Sequence, residues 1–428
     1  MKLLYVLLDG VGDRPEPELN YLTPLEAAIT PNLDELARRA KMGLVHPAGR
    51  GIAPESDLAV FAMLGYRFDR YFGRGIVEVV GSGLEFRNGE LALRANFATV
   101  SDDLTLLDRR VGRSLSDEEG RSLAEAINSS VRFEDPKAYF RFKHTVSHRA
   151  ALVIGYEGVE LSDEISNTDP AYRKVGGISV AEEKVEGLKL SKCVPLADTY
   201  EARLSSELVN EFTEKCMAVL KEHEVNRRRR ELGMLEANAI TLRDAGNRLP
   251  ELEPIWKKFG LRFAGILDMP VEIGVSRLVG MDGFKAGGMM DYEEKVDKAK
   301  ELLEEYDAVY VHLKGTDEPG HDGDPMKKKE VIEEIDSRFF SKVLELDELL
   351  VVVSADHSTP CSLRAHSSDP VPLMVSSPKL ERDRVCRFTE REARKGSLGE
   401  LNGWEVMPLL ASILRSKGLD SAGNSLVP

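Results

Sequence analysis

Aspartate and histidine side chains gather in two short stretches of this 428-residue sequence. HLKGTDEPGHDGD contains Asp317 and His321, and SADHSTPCSLRAH contains Asp356, His357 and His366. Buried ionisable groups are costly unless they are paired, so such clusters need a partner within the fold or a bound metal ion. Carboxylate and imidazole are ligands that Mn²⁺ and Zn²⁺ accept. The two stretches therefore indicate metal binding, with an ordinary acidic turn as the alternative for the first.

A third carboxylate, Asp9, follows the apolar run KLLYVLL at residues 2–8. At the C-terminal end of a buried strand, it would lie in the crevice where open α/β sheets bind ligands. The alternative is a turn-forming aspartate before Gly10. Gly10 and Gly12 are not followed by the third glycine of a dinucleotide-binding loop, which excludes that class of site.

The candidate ligands comprise three carboxylates and three imidazoles: Asp9, Asp317, Asp356, His321, His357 and His366. Six ligands exceed what one four-coordinate site with an open position uses, and they suit two divalent ions such as Mn²⁺ or Zn²⁺. Two ions can act as a clamp for phosphoryl transfer, because they stabilise both the attacking and the leaving oxygen. The sequence thus predicts phosphoryl-transfer chemistry at two metal ions.

Ser56, in GRGIAPESDLAVFAMLGY, is the candidate nucleophile. It follows a loop rich in glycine and proline and opens an apolar helix pattern, where backbone N–H groups and the helix dipole favour anions. A serine at this place is by default an N-cap. Beside the predicted metal ions, however, its hydroxyl would be activated for attack on phosphate.

The elements that must position these residues alternate between strands and helices. Strand-length apolar runs occur at residues 2–8, 262–269, 307–313, 349–355 and 371–377. Helix patterns occur in PNLDELARRA, DYEEKVDKAKELLEEY, KKKEVIEEIDSRFFSKVLE and MPLLASILRSKG. This alternation predicts a layered α/β domain in which three strand ends bring the ligands to one sheet edge. The Glu-Pro-Gly sequence between Asp317 and His321 predicts a loop there rather than a helix.

The middle of the chain has strand and helix candidates of its own, and the first pattern resumes after it. We therefore predict a discontinuous catalytic domain, residues 1–77 and 246–428, into which a smaller α/β domain, residues 78–245, is inserted. The basic run NRRRRELG at residues 226–233 is interpreted as a solvated helix face.

Composition excludes several classes of protein. With 42% hydrophobic and 31% charged residues the chain is globular, and its net charge of −15 argues against a nucleic-acid surface. No stretch approaches the twenty apolar residues of a membrane span, so we expect a cytoplasmic protein without a membrane partner. The four cysteines lack the spacing of zinc sites and of disulfide scaffolds, which predicts free thiols.

The quoted motifs, together with FGRGIVEVVGSGLEF, LRANFATV, SNTDPAY and EANAITLRDAG, resemble a known family in order and spacing. The family is the cofactor-independent (2,3-bisphosphoglycerate-independent) phosphoglycerate mutases of the archaeal type, within the alkaline phosphatase superfamily. The resemblance covers nearly the whole chain. It implies an alkaline phosphatase-like layered α/β/α core with an inserted smaller α/β domain, and the interconversion of 3-phosphoglycerate and 2-phosphoglycerate in glycolysis and gluconeogenesis.

The resemblance also implies a division of the ligands between two metal ions. One ion would be bound by Asp9, Ser56, Asp356 and His357, and the other by Asp317, His321 and His366. Ser56 would carry the phosphoryl group as phosphoserine while the inserted domain holds the free glycerate. Mn²⁺ is expected, with Zn²⁺, Co²⁺ or Mg²⁺ as alternatives, and 2,3-bisphosphoglycerate is not required.

Within the insert, DRRVGR resembles the family's arginine-containing substrate segment and implicates Arg110 and Arg113. Arg149 and Asp169 are weaker matches. Arginine suits a bidentate contact with carboxylate or phosphate, and Asp169 would assist proton transfer at a glycerate hydroxyl. The alternative for each arginine is a surface role. Lys314 is a candidate phosphate contact, although the lysine segment of the bacterial enzymes is not evident.

Other functions are compatible with the same metal residues. They are a metal-dependent phosphatase or phosphonate hydrolase, another phosphomutase of the superfamily, such as one for sugar phosphates, and a kinase-like relative acting on a small amino acid. A non-catalytic protein stabilised by metal is a further alternative, but it would need no nucleophile at Ser56. The sequence leaves the oligomeric state open.

Overall fold

A computed structural model describes residues 1–175, 178–181, 187–346 and 348–418. The chain divides into two compact units. The discontinuous unit contains Met1–Arg67 and the chain from Glu253 onward, and the inserted unit is Phe68–Leu252. The bounds predicted from the sequence for the insert, 78–245, leave the helix Arg74–Ser82 partly outside it. That helix packs on strands of the inserted unit, so its contacts assign it there.

The strands within the described residues are numbered in chain order. They are β1 Lys2–Leu8, β2 Ala40–His46, β3 Leu91–Val100, β4 Leu106–Asp108, β5 Ala138–Val146, β6 Arg149–Tyr156, β7 Tyr172–Val175, β8 Ile178–Ala181, β9 Ala239–Gly246, β10 Phe263–Ile266, β11 Asp282–Phe284, β12 Ala308–Leu313, β13 Leu349–Ala355, β14 Val371–Ser376 and β15 Gly399–Asn402.

The α-helices are numbered in the same way. They are α1 Pro24–Ala27, α2 Pro31–Ala37, α3 Ser56–Met63, α4 Arg74–Ser82, α5 Asp117–Ser130, α6 Tyr200–Glu222, α7 Glu224–Glu231, α8 Ile255–Phe259, α9 Pro270–Val279, α10 Tyr292–Glu305, α11 Asp317–Asp322, α12 Pro325–Ile335, α13 Ser341–Val343, α14 Glu390–Ala393 and α15 Gly403–Gly418. A π-helical turn joins α12 to α13. Among the described residues, no helix combines the length and the apolar character needed to cross a membrane.

An eight-stranded sheet forms the centre of the discontinuous unit, in the order β11-β10-β12-β1-β13-β14-β2-β15. β1 pairs in parallel with β12 on one side and with β13 on the other. Parallel neighbours end at the same sheet edge, so the residues that follow β1, β12 and β13 are brought together. The predicted convergence of these three strand ends is confirmed.

The strands at the centre of this sheet are largely apolar because both of their faces are covered. In β1 every residue after Lys2 is buried. The helices pack in two groups: α3 contacts α9 and α15, whereas α1, α2 and α10 pack around α12 and the π-helical turn. The α/β fold predicted from the sequence is confirmed, and its β1 and β13 have the predicted bounds.

The inserted unit contains an antiparallel sheet in which β3 pairs with β4, β6 and β9, and β5 pairs with β6. Its strands alternate between two faces, as the twofold period of a strand requires. One face carries the apolar residues Leu93, Leu152 and Leu242, which belong to the core that α5 and α6 cover. The opposite face carries arginines and packs against α4.

One prediction about the insert is wrong. The basic run in α7 is not wholly solvated, because Arg229 is only 1% exposed. Its guanidinium donates to Glu119 Oε2 at 2.9 Å, to Ser114 Oγ at 2.6 Å and to the Leu235 carbonyl at 2.7 Å. Asn226, three residues earlier and therefore on the same helix face, is also fully buried. This face of α7 is thus a structural contact.

Candidate metal centre

Three loops at one edge of the eight-stranded sheet carry the predicted ligands. Asp9 follows β1, Asp356 and His357 follow β13, and His366 lies in the segment that leads to β14. Asp317 begins α11, shortly after β12. Strand order alone therefore explains why residues about 350 positions apart in sequence lie within a few ångströms of one another.

Asp317 and His321 lie on a short helix, and the loop predicted from Glu-Pro-Gly is wrong. Pro319 is the third residue of α11. The first four N–H groups of a helix have no partner within it, so a proline at this position removes no hydrogen bond. Asp317 and His321 are four residues apart and face the same side, with 3.4 Å between Oδ2 and Nε2.

Ser56 is the first residue of α3, and Glu55 occupies the N-cap position. The hydroxyl of Ser56 lies 3.2 Å from His357 Nε2. The same nitrogen lies 3.3 Å from Asp356 Oδ2 and 3.6 Å from Asp9 Oδ1. Four of the predicted residues thus meet at one point, and the N-cap interpretation of Ser56 is wrong.

The hydrogen bonds of the histidines direct their second nitrogens toward the carboxylates. His366 Nδ1 donates to the Pro54 carbonyl at 2.7 Å, which leaves Nε2 facing Asp317 Oδ1 at 3.6 Å. His321 Nδ1 donates to the Arg364 carbonyl at 3.1 Å. Because a metal-binding imidazole is normally oriented by a hydrogen bond from its other nitrogen, this pattern leaves Nε2 available as a ligand.

Thr359 orients the remaining predicted histidine. Its hydroxyl donates to Asp317 Oδ1 at 2.6 Å and accepts from His357 Nδ1 at 3.0 Å. The rings of His357 and His366 are stacked, with 3.7 Å between their centroids. By distance His357 groups with Asp317 and His366, but its Nε2, which also contacts the Ser56 hydroxyl, faces the carboxylates of Asp9 and Asp356. His357 therefore contacts both halves of the cluster.

Two buried residues of this region were missed by the sequence analysis. His312, in β12, places Nε2 3.4 Å from Asp356 Oδ2 and groups with Asp9 and Asp356 as a possible metal-binding set. Glu272, in α9, lies 2.6 Å from Lys314 Nζ, which is also 3.0 Å from Asp9 Oδ2. His312 lies inside an apolar strand, and Glu272 lies among apolar residues of a helix. A polar residue among apolar neighbours was the sequence signal that could have identified both. We call Asp9, His312, Asp317, Asp356, His357 and His366 the metal cluster.

Burial and crowding determine the protonation of the metal cluster. Burial raises the pKa of Asp9 to about 7, although Lys314 opposes the shift. Burial lowers the pKa of His357 to about 3, which keeps its imidazole neutral. Burial also opposes ionisation of Asp356, but His357 and His312 outweigh it, so the pKa of Asp356 is lowered. Of these three side chains, His357 and Asp356 are therefore in the forms that bind metal, which are neutral imidazole and ionised carboxylate.

The donor set fits divalent cations. Both ring nitrogens of His312 and Oδ2 of Asp356 are buried without a hydrogen-bond partner, and such atoms are costly unless they bind something. The ligand atoms within each of the two groups, Asp317 with His357 and His366 and Asp9 with His312 and Asp356, lie within 4.8 Å of one another. Mixed oxygen and nitrogen ligands at such spacing suit ions such as Mn²⁺ and Zn²⁺.

A second charged cluster lies in the inserted unit, on the sheet face opposite its core. Arg94, Arg149 and Arg243 come from β3, β6 and β9, and Arg74 from α4. Arg94 and Arg243 are direct cross-strand partners, an arrangement that is unfavourable for like charges. Glu78 lies 3.2 Å from Arg74 Nε and 3.6 Å from Arg94 Nε. We call these four arginines the arginine cluster.

The arginine cluster is an electrostatically strained site. Burial and the neighbouring Arg243 lower the pKa of Arg94 to about 9, and burial with Arg149 lowers the pKa of His148 to about 3. Of its members the sequence analysis named Arg149 alone. Arg94 and Arg243 stand inside apolar strand patterns, which was the signal that could have identified them.

The other residues predicted in the insert lie close to this cluster. Arg110 and Arg113 flank the 3-10 turn after β4. Asp169 is fully buried and forms a bidentate ion pair with Arg109, with N–O distances of 3.2 and 3.0 Å. Tyr172 lies between the arginine cluster and the Asp169–Arg109 ion pair. Its ring centroid is 3.8 Å from the Arg243 guanidinium and 4.8 Å from the Arg109 guanidinium.

A family profile and the relatives found by sequence comparison indicate the same family. The profile described as 2,3-bisphosphoglycerate-independent phosphoglycerate mutase matches residues 37–226. The mutase of that name from Aeropyrum pernix is 44% identical over 97% of this chain and 100% of its own length. The one from Ignicoccus hospitalis is 38% identical over 96% of each chain.

Two solved structures are similar to this chain over nearly its whole length. A Pyrococcus horikoshii protein is 31% identical, with a TM-score of 0.77 over 97% of both chains. The cofactor-independent phosphoglycerate mutase of Thermoplasma acidophilum is also 31% identical, with a TM-score of 0.63 over 96% of this chain and 100% of its own.

Proposed function

Because this chain belongs to the 2,3-bisphosphoglycerate-independent phosphoglycerate mutase family, we propose that it interconverts 3-phosphoglycerate and 2-phosphoglycerate. We place this activity in glycolysis and gluconeogenesis in the cytoplasm. The observation that carries the proposal is the position of Ser56, whose hydroxyl lies at the first residue of α3 and 3.2 Å from a ligand nitrogen of the metal cluster. A nucleophile at that place can accept a phosphoryl group.

Two phosphoryl transfers make up the proposed reaction. Ser56 Oγ attacks the phosphorus, the bond from phosphorus to O3 of the glycerate breaks, and O3 takes the proton that Oγ gives up. The glycerate then reorients, its 2-hydroxyl attacks the phosphoserine, the bond from phosphorus to Oγ breaks, and Oγ takes the proton that the 2-hydroxyl gives up. Water is neither consumed nor produced, so the enzyme must exclude water from the phosphoserine.

The arginine cluster is our proposed site for the glycerate. The four arginines outnumber the neighbouring carboxylates Glu78 and Asp244, and this local positive charge favours a bound anion. A guanidinium can contact a carboxylate with two parallel hydrogen bonds. Arg110 and Arg113 are proposed to contribute further contacts, and Arg149 is proposed to contact the carboxylate. Asp169, whose orientation Arg109 fixes, is proposed to move the proton of a glycerate hydroxyl.

Two divalent cations are the proposed cofactors. The expected assignment is Asp9, Ser56, Asp356 and His357 for one ion and Asp317, His321 and His366 for the other. When bound, the ions would supply positive charge that stabilises the transferring phosphoryl group. Mn²⁺ is the first candidate, followed by Zn²⁺, Co²⁺ and Mg²⁺. Lys314, beside Asp9, is proposed to add a further positive charge at the phosphate.

Phosphorus NMR separates this mutase from a phosphatase. The metal-loaded protein is incubated with 3-phosphoglycerate, without 2,3-bisphosphoglycerate, and the ratio of 2-phosphoglycerate to inorganic phosphate is followed. We expect 2-phosphoglycerate to dominate, because a held hydroxyl can have an effective molarity of about 10⁵ M or more. Inorganic phosphate as the main product would reject the mutase in favour of the phosphatase.

A double variant tests the arginines separately. Arg110→Ala with Arg113→Ala should loosen the glycerate, slow isomerisation and raise the fraction of phosphoryl groups lost to water. The matched control is Arg121→Ala, on the exposed side of α5 in the same unit. An unchanged product ratio in the double variant would remove these two residues from the proposed site and leave the mutase activity in place.

A further inference from the structure

His312 occupies an unusual position for a histidine. It lies in β12, whose neighbours β1 and β10 cover both edges, and its side chain is 0% exposed. Nε2 lies 3.4 Å from Asp356 Oδ2 and 3.8 Å from Asp9 Oδ1. Nδ1 lies 3.4 Å from Glu272 Oε1. The ring is therefore held between two ligand carboxylates on one side and a third carboxylate on the other.

Several polar atoms of this group lack hydrogen-bond partners. Neither nitrogen of His312 makes a hydrogen bond, and neither does Oδ2 of Asp356. A buried polar atom without a partner is unfavourable, so these atoms need an explanation, and two of them, His312 Nε2 and Asp356 Oδ2, face each other at 3.4 Å. A cation at that point would satisfy Nε2 and Oδ2 together.

The orientation of His312 follows that of the three predicted histidine ligands. In His321, His357 and His366, Nδ1 contacts a protein oxygen while Nε2 faces a carboxylate of the metal cluster. In His312, Nδ1 faces Glu272 and Nε2 faces Asp356 and Asp9. A carboxylate on one nitrogen and a metal ion on the other is a recurrent arrangement for histidine ligands.

We propose that His312 Nε2 is a ligand of the cation that Asp9 and Asp356 bind, and that Glu272 is the positioning residue that orients the ring. Neither residue belongs to the ligand set expected from the sequence. The proposal rests on the two-cation site of the proposed function, but it concerns binding and not turnover. One oxygen of Glu272, Oε2, accepts from the backbone N–H groups of Asp268 and Met269, which fixes the carboxylate. The other oxygen, Oε1, faces both His312 Nδ1 at 3.4 Å and Lys314 Nζ at 2.6 Å.

Cadmium NMR counts the bound imidazoles directly. The metal-free protein with ¹⁵N-labelled histidine is loaded with ¹¹³Cd²⁺ as an NMR-active substitute, and the ¹¹³Cd–¹⁵N couplings are counted. We expect four cadmium-bound nitrogens, from His312, His321, His357 and His366. The other four histidines of the chain are neither members of the metal cluster nor predicted ligands, and they are His46, His144, His148 and His223. Three or fewer coupled nitrogens in the wild type would overturn the proposal.

A variant assigns the extra coupling. His312→Gln should lose one coupled nitrogen and keep the rest, whereas His144→Gln, a buried histidine of the inserted unit that contacts the Ser147 carbonyl, should lose none. An unchanged count in His312→Gln means that His312 is a protonated bridge between carboxylates, and it overturns the proposal. If this variant does not fold, the wild-type count still decides.

Glu272→Gln tests the positioning role. The amide keeps the shape but is a weaker acceptor, so we expect one of the two ions to bind about 10- to 100-fold more weakly, measured by calorimetric titration of the metal-free protein with Mn²⁺. The number of cadmium-bound nitrogens should not change. Equal affinities for both ions in variant and wild type would refute the role of Glu272. Because neither readout requires turnover, a failed mutase assay and a failed ligand count remain distinguishable.

Discussion

The metal cluster and the arginine cluster are buried groups of opposite charge. In the discontinuous unit, the carboxylates of Asp9, Asp317 and Asp356 lie close together. Lys314 contacts one of them, Asp9. In the inserted unit, three sheet arginines and Arg74 surround Glu78. Each group is unfavourable in isolation, since like charges in a poorly solvated interior repel.

The difference in sign supports the ligand proposed for each cluster. A surplus of carboxylate is relieved by cations, and a surplus of guanidinium is relieved by an anion such as glycerate or its phosphate ester. The cations and the glycerate of the proposed reaction thus carry the charges that are opposite to those of the clusters that would bind them. Binding of the proposed ligand would offset part of the cost of assembling each cluster, which would tie ligand affinity to folded stability.

The largest effect is expected from removal of the cations. Chelation should abolish turnover and lower the stability of the discontinuous unit, because the carboxylates of the metal cluster then lose their counter-charge. Hydrogen exchange followed by mass spectrometry should show faster exchange in the loops after β1, β12 and β13, with little change in β3, β6 and β9. Full activity without metal, or equal acceleration in both units, would contradict the comparison.

Ser56→Ala should come next. We expect turnover to fall by about 10³-fold or more, since the nucleophile is lost, while the Km for 3-phosphoglycerate changes little. Stability should remain within about 1 kcal/mol because Ser56 does not cap α3. Mass spectrometry of the wild-type peptide should reveal phosphoserine at position 56. A variant with substantial mutase turnover would show that the phosphoryl group takes another route.

Two buried arginines of the inserted unit provide a matched test. Arg94→Met should raise Km by about 10- to 100-fold and change the free energy of unfolding little, because relief of repulsion from Arg243 offsets the lost contact with Glu78. Arg229→Met should instead lower the free energy of unfolding by about 3 kcal/mol, since Glu119 loses a buried partner. Chemical denaturation and steady-state kinetics distinguish the two. Equal destabilisation by both would remove the argument that the arginine cluster is strained.

The smallest effect concerns Glu390, a carboxylate of the discontinuous unit outside the metal cluster. Burial raises its pKa to about 7, although the Asp13 N–H and the Thr23 hydroxyl contact it. A raised carboxyl pKa favours the protonated native state, so this contribution is complete below about pH 4.5 and is lost as pH rises through 7. Glu390→Gln should reduce the decline of unfolding free energy between pH 5 and 8 by about 2 kcal/mol in the metal-loaded protein. A parallel pH profile in wild type and variant would show that Glu390 stays ionised.

The sequence predicted best those features that depend on uniform local patterns. β1 and β13 are continuous apolar runs with a polar residue at the end, and both their bounds and the ligands after them followed from that pattern. β2 and β5 were missed because glycine and lysine interrupt the first and charged residues alternate through the second. Tertiary pairing, which a local pattern does not contain, stabilises these strands.

The errors at the site have the same origin. Proline was taken to exclude a helix at Asp317, but its place in the first turn makes it harmless. His312, Arg94 and Arg243 were absorbed into apolar strands, because a single polar residue does not change the periodicity of a run. Arg229 was assigned to solvent from its neighbours in a basic run. A polar residue inside an apolar run can be noticed in the sequence, but the partners that define its role are distant in sequence and come only from the fold.

The long separation between the two segments of the discontinuous unit has a consequence for biosynthesis. β1 pairs with β12 and β13, so Leu3 cannot form its strand pairs until Ala308 and Leu350 have been synthesised. At about 5–20 residues per second, a ribosome leaves this apolar strand unpaired for roughly 15–60 s. The inserted unit, whose strands pair among themselves, is complete well before that moment. A nascent chain stalled near residue 300 should therefore show a protease-resistant insert and a digestible N-terminal segment, and newly made protein should depend on chaperones that shield β1.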